Sequence, residues 1–127
     1  MQKMTSRRLL AVLRSYLARA DTRVTQRRLK ICGHTTYLLE TSESGEQVPR
    51  EITICLDPRR DGRVRVVIHE LLHVWADITL KTQAHFTYQL EEAAILAWES
   101  RLYALLQPPS GAKHLESWDR AITRKIT

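Results

Sequence analysis

The segment from Arg63 to about Leu80 constrains the fold most, because it is apolar on almost every side and still contains two histidines and a glutamate. Its apolar residues recur at helical spacings, and a helix that is apolar all round is usually buried. They are Val64, Val66, Val67, Ile68, Leu71, Leu72, Val74 and Trp75. Polar groups without partners are costly inside a protein. The segment therefore predicts a central helix with a polar site built into it.

That site has an H-E-x-x-H pattern, since His69-Glu70-Leu71-Leu72-His73 places the two histidines four residues apart. Residues i and i+4 share one face of a helix, so both imidazoles can bind one ion, and zinc is a metal that imidazole suits. Glu70 is rotated by about 100° from His69, which places its carboxylate beside the ion. There it can take a proton from a water activated by the metal. We predict Zn²⁺ ligands at His69 and His73 and a general base at Glu70.

A third ligand is expected on the next helix, which the pattern predicts from Tyr88 to Leu106. Glu91 projects into the middle of its apolar arc, whereas Glu92 falls at the edge. A carboxylate centred on an apolar face is rarely without a partner. Glu91 is therefore the predicted third ligand, Glu92 is the alternative and His85 is a further one. The competing interpretation is that both acids are solvated at a frayed helix start.

Three side chains are candidates for supporting roles. Asp77 lies one turn beyond His73 and can orient an imidazole from behind. Its alternative is an ordinary acid near a helix end. Tyr88 or Tyr103 can donate a hydrogen bond to an oxyanion, or they are simply core residues.

The remaining elements predict a single α+β domain over residues 1–127. A helix is expected from Ser6 to about Ala20, capped by Thr5 or Ser6. Strands are expected over Arg28–Glu40 and Glu51–Leu56, paired as a hairpin. A last helix is expected over His114–Ile126.

The charge and the cysteine content limit which partners and which cellular compartment we expect for the protein. Twenty Lys and Arg against fourteen Asp and Glu give a net charge of +6, with much of the excess near the N-terminus. That bias is compatible with nucleic acid or another acidic partner, although a solvated basic face is the simpler interpretation.

Cys32 and Cys55 are expected to be buried free thiols in a reducing compartment. No segment approaches the roughly 18 apolar residues of a membrane span. We therefore expect a cytoplasmic protein that does not act at a membrane.

H-E-x-x-H followed, after a short connector, by a helical glutamate resembles the gluzincin class of zinc peptidases. The hairpin before the His-Glu helix, and Leu90-Glu91-Glu92-Ala93-Ala94 after it, resemble the small ImmA/IrrE-like and phage-encoded metallopeptidases. The resemblance covers about Ile52 to Leu106 and implies a minimal zincin-like fold: an N-terminal helix, a hairpin, the His-Glu helix and a glutamate helix. The Asn usual in the ImmA/IrrE glutamate helix has no equivalent, because Ala94 and Ile95 stand there.

Two other zinc-peptidase patterns fit less well. The glycine and third histidine of metzincins are absent. SprT-like proteins, which act on protein bound to DNA, use a third histidine followed by glycine, whereas Phe86 follows His85.

The predicted function is zinc-dependent hydrolysis of a protein or peptide substrate. The alternatives are a non-catalytic binding module that contains zinc and a peptidase that acts on DNA-bound proteins.

Overall fold

The computed structural model describes residues 4–81 and 87–126. Within them the chain forms an α+β arrangement of four helices and one three-stranded sheet, in agreement with the predicted class. In chain order the elements are α1 (Ser6–Ala18), β1 (Arg23–Gln26), β2 (Gly33–Thr41), β3 (Gln47–Leu56), α2 (Arg63–Thr79), α3 (Tyr88–Ala104) and α4 (Ala112–Lys125).

The sheet has the strand order β1-β3-β2. β2 and β3 pair antiparallel, so the predicted hairpin is confirmed. β1 pairs parallel with β3 on the opposite side and was not predicted. It has only four residues, of which Val24 alone is buried, and such a short run gives no readable alternation. The outer edge of β1 is covered by a bridge from Val24 to Ile126, which leaves β2 as the open edge among the described residues.

The hairpin contains a β-bulge opposite Tyr37. Thr36 pairs with Thr53 but Leu38 pairs with Arg50, so β3 has one residue more than β2 between these pairs. Glu51 adopts a positive φ of 51° here, and its N–H donates to a carboxylate oxygen of Asp21 at 3.1 Å. A bulge bends and twists its strand. The hairpin is therefore irregular next to Tyr37, the residue of β2 that contacts Asp77 on α2.

Helix α2 is the centre of the fold, as its apolar sequence predicts. It contacts α1, α3, α4, β2 and β3. Leu71, Leu72, Ile68 and Val67 on this helix are fully buried. Burial of each large apolar side chain stabilises the fold by roughly 1.5–3 kcal/mol. The His-Glu motif therefore lies on a buried helix that contacts five other elements.

Threonine side chains cap the starts of α1 and α3. Thr5 Oγ1 accepts the N–H of Arg8 at 3.2 Å, which confirms one of the two predicted caps of α1. Thr87 Oγ1 accepts the N–H of Leu90 at 3.3 Å at the start of α3. Since α3 is formed from Tyr88 onward and Glu91 is buried, the interpretation of Glu91 as a solvated acid at a frayed start is wrong.

Both cysteines are free, but only Cys55 is buried. Cys32 is exposed, which corrects the prediction of two buried thiols, because the loop before β2 lies on the surface. Among residues 4–81 and 87–126, no helix combines the length and the apolar character needed to cross a membrane.

Candidate metal centre

His69 and His73 face each other across one turn of α2. Their Nε2 atoms are 3.3 Å apart. Oε1 of Glu92, on α3, lies 2.7 Å from Nε2 of His73 and 3.5 Å from Nε2 of His69. Three potential ligand atoms from two helices therefore converge on one point.

The other nitrogen of each imidazole is held by a buried carboxylate. Nδ1 of His73 lies 2.5 Å from Oε1 of Glu91, and Nδ1 of His69 lies 2.6 Å from Oε1 of Glu99. His73 follows His69 on α2, whereas its partner Glu91 precedes Glu99 on α3. The two helices therefore run antiparallel. Glu99 also accepts a hydrogen bond from Nε of Arg65, one turn before His69 on α2.

These contacts fix the chemistry of the converging atoms. A carboxylate accepts hydrogen bonds, so each Nδ1 carries the donated proton, and a neutral imidazole then presents an Nε2 lone pair. When both imidazoles are neutral, two lone pairs and the Glu92 carboxylate point at one another, and such electron-rich atoms repel unless a cation lies between them.

The charge balance leads to the same conclusion. Glu70, Glu91, Glu92 and Glu99 contribute four carboxylates, and the described site contains one guanidinium, that of Arg65. Three of these carboxylates, all except Glu92, are more than nine-tenths buried. Buried charges in such excess require pairing or a metal ion.

The spacing of the donor atoms suits zinc. Ligands at about 2.0–2.1 Å from zinc in a tetrahedron are about 3.3 Å from one another. The separation of 3.3 Å between the two Nε2 atoms agrees with this, and that of 3.5 Å between Glu92 and His69 is close to it. The Glu92–His73 separation of 2.7 Å is shorter. Glu92 has a side chain 27% exposed, so it has room to rotate. The residues present therefore fit a zinc ion.

Glu91 has a different position from the one predicted. It contacts the nitrogen of His73 that faces away from the shared point. The helical wheel placed Glu91 correctly at the centre of the buried face, but that centre lies behind the imidazole. The geometry therefore favours Glu92, the alternative, at the ligand position, with Glu91 as a support of His73. The remaining alternative, His85, lies outside the described residues.

Glu70 lies beside the same point. The potential ligand atoms of His69, Glu70 and His73 all lie within 4.8 Å of one another. Thr35 Oγ1 on β2 donates to Oε1 of Glu70 at 2.9 Å, and Oε2 accepts no hydrogen bond from the described residues. One oxygen is thus oriented by the sheet and the other is available to a reactant.

Gly33 allows β2 to approach this glutamate closely. A Cβ atom at position 33 would lie 2.6 Å from Cγ1 of Val66 and 3.3 Å from Cγ of Glu70. The first distance is shorter than an ordinary Cβ contact, so a larger residue at position 33 would force the Val66 side chain or the strand to move.

An open cleft of about 940 Å³ gives access to the site from the sheet side. Its walls are β2, the loop before it, the turn before α2, and the facing sides of α2 and α3. The lining residues are Ile31, Cys32, Gly33, His34, Thr35, Tyr37, Asp61, Gly62, Arg65, Val66, His69, Glu70, His73, Tyr88, Glu91, Glu92, Leu96 and Glu99. A volume of this size accommodates several residues of a peptide or a drug-sized molecule.

Asp77 has no hydrogen bond to an imidazole of the described residues, so its predicted role as a support of His73 is not what the structure shows. It accepts a hydrogen bond of 2.6 Å from the hydroxyl of Tyr37 on β2. Burial, and then this bond, raise the pKa of the Tyr37 hydroxyl, so it stays protonated and donates. The two residues link the hairpin to α2 beside the cleft.

The two tyrosines predicted as oxyanion donors differ in position. Tyr88 lines the cleft and is 73% exposed. Tyr103 is not among the described cleft residues, and its ring stacks on the guanidinium of Arg65 at 5.2 Å. Of the two, only Tyr88 is placed to reach a ligand in the cleft.

Comparison of the chain with protein-family models, with curated proteins and with solved structures gives no match. The functional argument therefore depends on the geometry of the site itself.

Four residues of the site were not predicted from sequence: Thr35, Gly33, Arg65 and Glu99. A signal existed for Glu99, which lies eight residues after Glu91 and so on the same face of α3. Arg65 has a similar signal, one turn before His69. No sequence signal indicated Thr35 or Gly33. Both lie on β2 and contact Glu70 on α2, which is far from them along the chain.

Proposed function

We propose that this protein is a zinc-dependent peptidase in which His69, His73 and Glu92 bind the metal. The observation that carries the proposal is the convergence of the two Nε2 atoms and Oε1 of Glu92, with each Nδ1 held by a further carboxylate. Carboxylates behind ligating imidazoles are characteristic of metal sites, because they fix the tautomer and raise the basicity of the ligand.

When bound, zinc acts as a Lewis acid that makes a water molecule nucleophilic at neutral pH. Glu70 is the residue best placed to take the proton of that water, since its Oε2 has no described protein donor. It then passes the proton to the amine of the leaving product. Thr35 holds the other carboxylate oxygen and so keeps Oε2 directed toward the reaction.

The open cleft favours an enzyme over a structural zinc module. Structural zinc sites are closed by four protein ligands, whereas catalytic sites have three and leave a position for water or substrate. His69, His73 and Glu92 supply three. Glu70 already accepts a hydrogen bond from Thr35 and is better placed as a base than as a fourth ligand.

We further propose that the architecture is a minimal zincin-like fold of gluzincin type, resembling ImmA/IrrE-like peptidases. The support is the order of hairpin, His-Glu helix and glutamate helix. In this assignment the ligand from the glutamate helix is Glu92, the second residue of the Glu-Glu pair.

Metal analysis of the purified protein tests the first half of the proposal. We expect about one zinc per chain, and its loss in His69→Ala or His73→Ala. A protein that binds no metal after zinc is supplied would refute the site.

The Glu70→Gln variant tests the second half. Glutamine keeps the shape of the side chain and its bond with Thr35 but accepts no proton at neutral pH. Cleavage of a mixed peptide library, read by mass spectrometry, should fall by a factor on the order of 10² or more. Zinc content and thermal unfolding serve as controls and should match those of the parent. Equal cleavage by the two proteins rules out Glu70 as the base, and a zinc-loaded parent that cleaves nothing favours the binding-module alternative.

A further inference from the structure

Four cationic side chains lie on the two loops that border one end of the cleft. Arg27, Arg28 and Lys30 belong to the loop between β1 and β2, and Arg60 belongs to the turn between β3 and α2. All four are exposed, and no described carboxylate lies within ion-pair distance of any of them. We call these four residues the cationic rim.

Asp57 holds the two loops together. Its carboxylate accepts the N–H of Leu29 at 3.1 Å and is paired with the guanidinium of Arg59 at 2.6 Å. The side-chain bond from Arg59, followed by the bonds from the Leu29 and Arg59 N–H groups, holds the pKa of Asp57 well below its usual range. Asp57 and Arg59 therefore neutralise each other, and the charge of the rim itself is left uncompensated.

The rim continues directly into the cleft wall. Ile31, Cys32 and Gly33 follow Lys30 and line the cleft, and so does Asp61, which follows Arg60. Nη1 of Arg60 lies 3.8 Å from Sγ of Cys32. Asp61 is the one acidic residue that these two loops contribute to the cleft wall, so the four rim cations outnumber it.

The distance from the rim to Glu70 can be counted along the chain. Gly33 is in close contact with Glu70, and Lys30 and Arg27 precede it by three and six residues. An extended chain rises about 3.3 Å per residue, so the backbone of Lys30 lies at most about 10 Å from that of Gly33, and the backbone of Arg27 at most about 20 Å. An extended peptide in the cleft covers the larger of these distances with about six of its own residues.

We propose that the cationic rim binds acidic side chains of a peptide substrate, within about six residues of the bond that is cleaved. The proposal depends on the proposed peptidase function only in calling the bound peptide a substrate. Cations without partners at the end of a cleft attract anionic groups and discriminate against basic ones.

The rim fits an acidic peptide better than a nucleic acid. Among its described residues there is no aromatic side chain on which a base could stack, and such stacking is a common part of single-strand binding. The cations form a short group at the end of a cleft that also contains five carboxylates, rather than a stripe that follows a phosphate backbone. Those carboxylates would repel a polyanion that entered the cleft.

Binding is measured on the full-length Glu70→Gln protein loaded with zinc, by fluorescence anisotropy of labelled peptides. One probe has an apolar centre with glutamates three to six residues away on both sides, and the matched probe has glutamines there. We expect the glutamate peptide to bind at least tenfold more tightly. Changing Arg27, Arg28 and Lys30 together to Gln should weaken its binding about tenfold and leave the glutamine peptide within twofold.

The matched control changes Lys113, Arg120 and Arg124 to Gln. These are three exposed residues of α4, and the change removes the same net charge away from the cleft. We expect binding within twofold of the parent. Equal affinity for the two peptides, an unchanged affinity in the rim variant, or equal losses in the two triple variants would each overturn the proposal.

Two further measurements separate the remaining outcomes. If a 20-nucleotide single-stranded DNA binds more tightly than the glutamate peptide at physiological salt, and the rim variant loses it, the rim is a nucleic-acid surface and the proposal is wrong. Failure of the zinc-loaded parent to cleave either peptide counts against the peptidase function, whereas rim-dependent binding of the glutamate peptide still supports the role of the rim.

Discussion

Removal of the Glu92 carboxylate is the change that best tests the proposed metal centre. Oε1 of Glu92 lies near both Nε2 atoms, whereas Glu91 and Glu99 each contact only the Nδ1 of one histidine. In the proposed centre, Glu92→Ala therefore deletes a ligand, and Glu91→Ala or Glu99→Ala deletes a support.

The expected effects differ in size. Tetrahedral zinc sites bind their metal with about 10–16 kcal/mol, so one of four ligand positions accounts for roughly 3 kcal/mol. That value corresponds to a loss of zinc affinity on the order of 10² or more for Glu92→Ala. Loss of a carboxylate behind an imidazole costs about 10–100-fold. Glu91→Ala and Glu99→Ala should therefore weaken zinc binding less than Glu92→Ala.

The assay is competition for zinc against a chelator of known affinity. Thermal unfolding of each metal-free variant controls for a folding defect, since Glu91 and Glu99 are buried and Glu92 is partly exposed. If Glu91→Ala releases zinc more readily than Glu92→Ala, the helical-wheel prediction is right and the reasoning from the Nε2 and Nδ1 positions is wrong. If neither change matters, the third ligand lies elsewhere in the chain.

Three further changes test the surroundings of the site. Gly33→Ala should destabilise the fold by about 1–3 kcal/mol through its contact with Val66, and Val66→Ala added to it should restore part of that loss in urea unfolding. Tyr37→Phe should cost about 1 kcal/mol, because it leaves the half-buried Asp77 without its donor, and chemical denaturation should show the loss with zinc content unchanged. Asp57 has a depressed pKa in the fold, so its contribution is present above its ordinary value of 3.8 and is lost as the pH falls below it. Thermal unfolding from pH 6 to pH 3 should therefore show a steeper decline for the parent than for Asp57→Asn, and parallel curves would contradict the role of this carboxylate.

The sequence by itself determined the features that depend on local spacing. An i, i+4 pair on a helix always shares a face, so the mutual approach of His69 and His73 needed no tertiary information. The apolar character of α2 all round likewise predicted its burial, and α3 begins at Tyr88, where the pattern placed it. The hairpin of β2 and β3 also followed from local composition.

The loop before β2 shows what local composition misses. The predicted strand from Arg28 starts only at Gly33. Residues 28–32 form a loop instead, and the N–H of Leu29 in this loop donates to the Asp57 carboxylate. That contact joins residues 28 positions apart. It exposes Cys32 and brings the cationic rim together, and nothing in either segment alone indicates it.

Only the tertiary structure shows which imidazole nitrogen each of Glu91 and Glu92 meets. A helical wheel gives the angle of a side chain around its own axis, but not the height of one helix against its neighbour. The antiparallel register of α2 and α3 places Glu91 level with Nδ1 of His73 and brings Glu92 to the two Nε2 atoms. Adjacent residues on one helix thus have different roles, because an imidazole has two nitrogens that face opposite ways and packing alone decides which carboxylate meets which.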